Sequence, residues 1–124
     1  MRDPLKQRQK ELIAFHHENG CIDVKKLTEG TRIVIKTSDE VYELEVGTAK
    51  FAVVLVASNN RFEHRDKAVV TGSLDPRTRV FIPAIIGEGL MIVLRSRKGR
   101  IIRTKPVTYA KIVGENYEYI MWRG

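Results

Sequence analysis

The sequence predicts a mainly β protein: a small, partly closed β-barrel, with a β-sandwich as the alternative, preceded by one N-terminal α-helix. Three observations carry this. Apolar residues from Thr31 onward alternate or run in short blocks, giving seven to nine strand-length segments in about 90 residues. Gly, Asn, Asp and Ser punctuate those segments at short intervals. No second helical stretch separates the strands, which argues against a parallel βαβ sheet. No internal repeat or linker divides the 124 residues, so residues 1–124 read as one domain, with the helix at about 4–19 and the β region at about 31–122.

Each element has local reasons. Asp3 suits the cap of a helix and Pro4 its first position, where the missing N–H costs nothing. Lys6 to Asn19 contains neither Gly nor Pro, and Gly20 is placed to close the helix. Its apolar stripe (Leu5, Leu12, Ile13, His16) is narrow and interrupted by Gln9, as in a helix lying outside a core. Cys21 to Leu27 reads as an extended approach or a short helical turn. Thr31–Thr37 and Val41–Val46 form a hairpin around Ser38-Asp39-Glu40, with Ile33 and Ile35 on one face of the first strand.

Phe51–Ala57 is a continuous apolar run, expected of a strand buried on both faces. Residues 58–66 are polar and loop-like. Lys67–Thr71 returns as a strand, and Gly72 to Arg77 supplies turn chemistry. Arg79–Ile82 follows, with Pro83 confined to a strand end or an edge. Leu90–Arg95 and Arg100–Thr104 form a hairpin whose tip, Ser96-Arg97-Lys98-Gly99, has a glycine for positive φ. Val107–Val113 and Tyr117–Trp122 are the last strands. Gly72, Gly87, Gly89 and Gly99 are the expected corners.

Composition bounds the function. Hydrophobic residues make up 43% and charged residues 30%, the balance of a chain able to build a core. One cysteine excludes a disulfide framework and a thiolate zinc cage and points to a reducing compartment, the cytoplasm. No apolar run reaches the roughly 20 residues of a membrane-spanning helix, and no apolar run follows the charged N-terminus as a secretory signal requires.

The net charge of +7 has an address. Residues 89–114 hold seven cations and no acid, while elsewhere fifteen cations balance fifteen acids. Arg95, Arg97, Lys98, Arg100, Arg103 and Lys105 lie within 11 residues. In strands, Arg95 and Arg97 would share one face, and Arg103 and Lys105 another, at roughly 7 Å spacing along each strand. Such stripes match a repeating phosphate backbone. Tyr109, Tyr117, Tyr119 and Trp122 follow, and aromatic rings beside cations suit single-stranded nucleic acid. A solvated, edge-protecting hairpin explains the same charges. The leading expectation is a non-enzymatic module binding nucleic acid with low specificity through Arg95, Arg97, Lys98, Arg100, Arg103, Lys105 and Tyr109.

Two other functions compete. Segment 117–122 has the aromatic and apolar character of an interface and would add to a neighbour's sheet edge in a homo-oligomer. Glu63-His64-Arg65-Asp66 groups acid, base and cations on one loop, the minimum for a ribonuclease-like activity, but no nucleophile elbow or phosphate cradle accompanies it. His16, His17, Cys21 and His64 lack a recognised ligand spacing, so neither metal nor cofactor is expected.

Gly30-Thr31-Arg32-Ile33-Val34-Ile35-Lys36-Thr37, Val41-Tyr42-Glu43-Leu44, Gly72-Ser73, Ile86-Gly87-Glu88-Gly89-Leu90 and Thr104-Lys105-Pro106-Val107 resemble a group of small bacterial β proteins with no assigned activity. The likeness spans roughly residues 30–111 and implies compact β architecture. Arg61-x-x-x-Arg65 is similar to one half of the cyclic-dinucleotide signature of PilZ domains; Thr71-Gly72-Ser73-Leu74-Asp75 does not supply the other half.

Overall fold

A computed structural model describes residues 4–59 and 66–113, the side chains of Leu5 and residues 16–19 excepted. The chain is mainly β with one helix, α1 (Pro4–Asn19). The strands are β1 (Ile22–Asp23), β2 (Arg32–Lys36), β3 (Val41–Val46), β4 (Val53–Ser58), β5 (Asp66–Leu74), β6 (Phe81–Pro83), β7 (Ile85–Ile86), β8 (Met91–Ser96), β9 (Ile101–Pro106) and β10 (Tyr109–Ile112). No helix among the described residues is long and apolar enough to cross a membrane.

Seven strands pair antiparallel in the order β10-β2-β3-β4-β5-β8-β9, β6 adds to β5, and β1 pairs with β7. Among the described residues the sheet is not closed into a barrel, since β9 and β10 do not pair with each other. They are, however, consecutive in the chain. Val107 N–H donates to Leu90 O (2.9 Å) and Thr108 N–H to Lys36 O (2.8 Å), so the backbone passes from one neighbour strand to another within two residues.

The alternation expected of β2 and β3 is present: Ile33 opposes Leu44 and Ile35 opposes Tyr42, all buried. The turn between them is held by Thr37 N–H to Glu40 O (2.9 Å) and Glu40 N–H to Thr37 Oγ1 (3.2 Å). Val54, Val56, Val70, Ile92, Leu94 and Ile102 continue the same core across the other strands. Fully burying one such aliphatic side chain stabilises the fold by roughly 1.5–3 kcal/mol. A smaller cluster of Ile82, Ile85 and Leu90 receives Leu12 and Ile13, and Gln9 Nε2 donates to Phe81 O (2.6 Å). So small a seat suits a helix with so narrow a stripe.

Several boundaries differ from the sequence expectation. Phe51 belongs to a 3-10 turn (Ala49–Phe51) and is 63% exposed; Ala52 takes the left-handed conformation, so β4 starts at Val53. Val53 and Leu55 are only half-buried, which corrects a strand covered on both faces to one with a single buried face over its first half. Cys21–Leu27 combines both expected forms, with β1 followed by a 3-10 turn whose cap, Asp23, accepts from Lys25 N–H. Pro83 ends β6, as its missing N–H requires.

The main correction concerns Gly72. It lies inside β5, at a register shift where Val70 pairs with Leu94 and Gly72 with Val93, rather than at a corner. Its φ is +153°, and a Cβ there would sit 2.3 Å from Ile82 O and 2.6 Å from Phe81 Cζ. The bulge and the missing side chain let β6 approach β5 closely, pairing Gly72 with Pro83. Beside it, buried Ser73 donates Oγ–H to Ile85 O. The turn itself falls later, where Asp75 Oδ1 accepts from Arg77 N–H (2.8 Å) and Thr78 N–H (3.4 Å).

Candidate nucleic-acid interface

β8 and β9 build the expected basic hairpin. Ser96 organises its tip: its N–H donates to Arg100 O (2.8 Å), its carbonyl accepts from Gly99 N–H (2.9 Å), and its Oγ accepts from Arg100 N–H (3.0 Å). Gly99 sits at φ +84°, which closes the turn without side-chain strain. Inside the hairpin, Leu94 and Ile102 oppose each other and are buried; outside, Arg95 pairs with Ile101 and Val93 with Arg103.

The seven predicted residues divide into two groups. Arg95, Arg97, Lys98 and Arg100 are exposed around the tip and make no ion pair among the described residues. Arg97 lies in the turn, beyond the end of β8, so it does not share a strand face with Arg95 as expected. Arg103 and Lys105 do share the exposed face of β9, but both are engaged within the protein. Lys105 Nζ lies 2.5 Å from Asp39 Oδ2 at the β2–β3 turn. Tyr109 stands on β10 opposite Lys36, whose Nζ is 5.4 Å from the ring centroid, and is separated from the tip by the length of β9. The structure therefore gathers four of the predicted cations and sets apart the other two and the aromatic ring.

It also adds one. Ala68 pairs with Ser96, which places exposed Lys67 of β5 beside the tip. No charge run signals Lys67, because the register of β5 against β8 is what brings it there. β5 flanks the hairpin along the whole of β8, leaving only residues 97–100 to project. Such a tip presents cations but no ribbon long enough to lie in a groove and read bases.

Other candidates are placed as follows. Residues 61 and 63–65 of the polar loop and segment 117–122 lie outside the described residues. Among the described residues, no group of three or more His, Cys, Asp and Glu side chains is arranged to hold a metal ion. Cys21 borders a cavity of about 340 Å³ with Glu88 and Lys111 on its rim. Burial pushes its thiol pKa up, the Asp23 charge adds to this, and Lys26 partly offsets it. A shift in that direction disfavours the thiolate, the opposite of what a nucleophile requires. No family model, curated protein or solved structure matches the chain significantly.

Proposed function

We propose that the protein binds nucleic acid with low sequence specificity, the tip of the β8–β9 hairpin holding consecutive phosphates. The observation that carries this reading is the set of exposed cations Arg95, Arg97, Lys98 and Arg100, joined by Lys67, which make no ion pair among the described residues. A cluster of like charges that makes no ion pair among the described residues favours an anionic partner. Continuity of β9 into β10 supports reading the open sheet as a partly closed barrel that carries the hairpin on its rim. A chain with one cysteine, half-buried, suits a cytoplasmic setting.

Titration of a labelled single-stranded oligonucleotide tests the reading. With about four phosphates contacted, affinity falls on the order of a hundredfold between 50 and 200 mM salt. Absence of binding at the lower salt would contradict it. Asp39→Asn provides a sign test. Releasing Lys105 frees a cation at the far end of β9, in the path of a nucleic-acid strand that runs on from the tip along that face, so affinity at low salt should rise a few-fold, on the order of one phosphate contact. The exposed ion pair contributes only about 0–1 kcal/mol to stability, so the variant remains folded. An unchanged or weaker affinity would place Lys105 outside the interface.

A second reading, self-assembly, is favoured by β10, which pairs only with β2 among the described residues and leaves Ile112 43% exposed. A strand edge of that kind accepts another strand. Sedimentation at high micromolar concentration should then show a dimer that truncation after Asn116 converts to monomer. A monomeric full-length chain would dismiss assembly.

A further inference from the structure

Charge counting along the chain finds one basic stretch, but folding assembles a second from distant segments. Helix α1 packs beside the turn between β5 and β6, with Gln9 bonded to Phe81 O. Two grooves flank that junction. One, of about 330 Å³, is lined by Arg8, Glu11, Leu12, Phe15, Arg77 and Thr78; the other, of about 300 Å³, by Lys6, Gln9, Arg79, Val80 and Phe81. Among the described residues they present four exposed cations against one exposed carboxylate, Glu11, which already accepts from Gln7 Nε2 (3.2 Å). Asp75 Oδ1 lies 4.0 Å from Arg77 Nε, but that carboxylate is buried and spent on the turn backbone, while the Arg77 side chain is 86% exposed. Lys6, Arg8 and Arg79 make no ion pair among the described residues.

This face sets aromatic rings beside its cations. Phe15 is 53% exposed and Phe81 38% exposed, one in or beside each groove, within reach of the cations. Exposed apolar rings mark binding surfaces, and the cations lining the same grooves attract a repeating anion. Single-stranded nucleic acid supplies both features, since each base has a π-face and each phosphate a charge. An acidic peptide supplies the charge without the regular flat groups.

We infer that the α1–turn face is a second nucleic-acid surface, specific for single strands, in which Lys6, Arg8, Arg77 and Arg79 hold phosphates while Phe15 and Phe81 stack on bases. It extends the reading of the hairpin to the opposite end of β5. That strand's nine residues span about 30 Å of extended chain, which separates the two surfaces.

The test compares wild type, Arg8→Ala/Arg77→Ala/Arg79→Ala, Arg97→Ala/Lys98→Ala/Arg100→Ala, their combination, and Phe15→Ala. Each is titrated with a labelled strand of about 16 nucleotides, long enough for an extended site, and with the matching duplex. All substituted side chains are on the surface, and melting temperatures confirm folding. The α1–turn variant should lose about tenfold in affinity for the strand whether or not the hairpin is intact, and Phe15→Ala should lose about as much for the strand while leaving duplex binding unchanged. Wild-type affinity in both the α1–turn variant and Phe15→Ala would overturn this surface and leave the hairpin reading standing. Equal losses for strand and duplex on Phe15→Ala would overturn the assignment to single strands. Binding that survives hairpin substitution but not α1–turn substitution would remove the hairpin reading and keep this one.

Discussion

Gly72→Ala is expected to destabilise the protein by about 3 kcal/mol, combining backbone strain with overpacking. For a domain of this size that lowers the melting temperature by roughly 10 °C or more. Two separate costs add. The backbone holds φ +153°, which residues other than glycine rarely adopt, and the new Cβ would meet Ile82 O at 2.3 Å. Backbone cannot rotate aside as a flexible side chain does, so relief requires β6 to lift from β5. That movement would disturb the paired register Gly72–Pro83, Ser73–Ile82 and Leu74–Phe81, and with it the seat of α1. Gly99→Ala is the comparison: its φ is +84° but nothing lies within 4 Å of the added atom. It carries the strain alone, of order 1 kcal/mol. Thermal unfolding by circular dichroism distinguishes the two. A Gly72→Ala melting temperature equal to that of Gly99→Ala would show that the close approach of β6 is not a structural requirement.

The second large effect concerns binding. Replacing Arg97, Lys98 and Arg100 with Ala removes three of the four exposed cations of the hairpin tip and leaves the hairpin's bonds intact, because those run through the Ser96 side chain and the backbone. None of the three side chains packs in the core. Affinity at 50 mM salt should fall roughly a hundredfold at this surface, since every phosphate left without its cation keeps its condensed counterion. Stability should change by less than about 0.5 kcal/mol.

Much of this architecture is legible from local pattern. The β2–β3 and β8–β9 hairpins announce themselves through alternation and turn residues, and helix α1 through the Pro4 start and the Gly20 stop. Gly72 is harder to read for a physical reason: Gly-Ser-Leu-Asp-Pro has the composition of a turn, and nothing local distinguishes a turn glycine from one that admits a neighbouring strand. The two-residue strands β1 and β7 are too short to show a period. Within the interface, the run Arg95 to Arg100 is visible because its members are adjacent in sequence. Lys67 is not, since strand register alone brings it to the tip, and the pairing of Lys105 with Asp39 joins residues far apart in the chain. The α1–turn face escapes for the same reason, its cations contributed by Lys6 and Arg8 on one segment and Arg77 and Arg79 on another.

Tip cations that truly clasp phosphates leave a signature in how ions compete. The slope of log affinity against log salt, measured with one oligonucleotide for wild type and for Arg97→Ala/Lys98→Ala/Arg100→Ala, should become shallower by about two units in the variant, given roughly 0.7 per phosphate on single strands. Identical slopes would mean that those arginines and the lysine merely keep the hairpin in water.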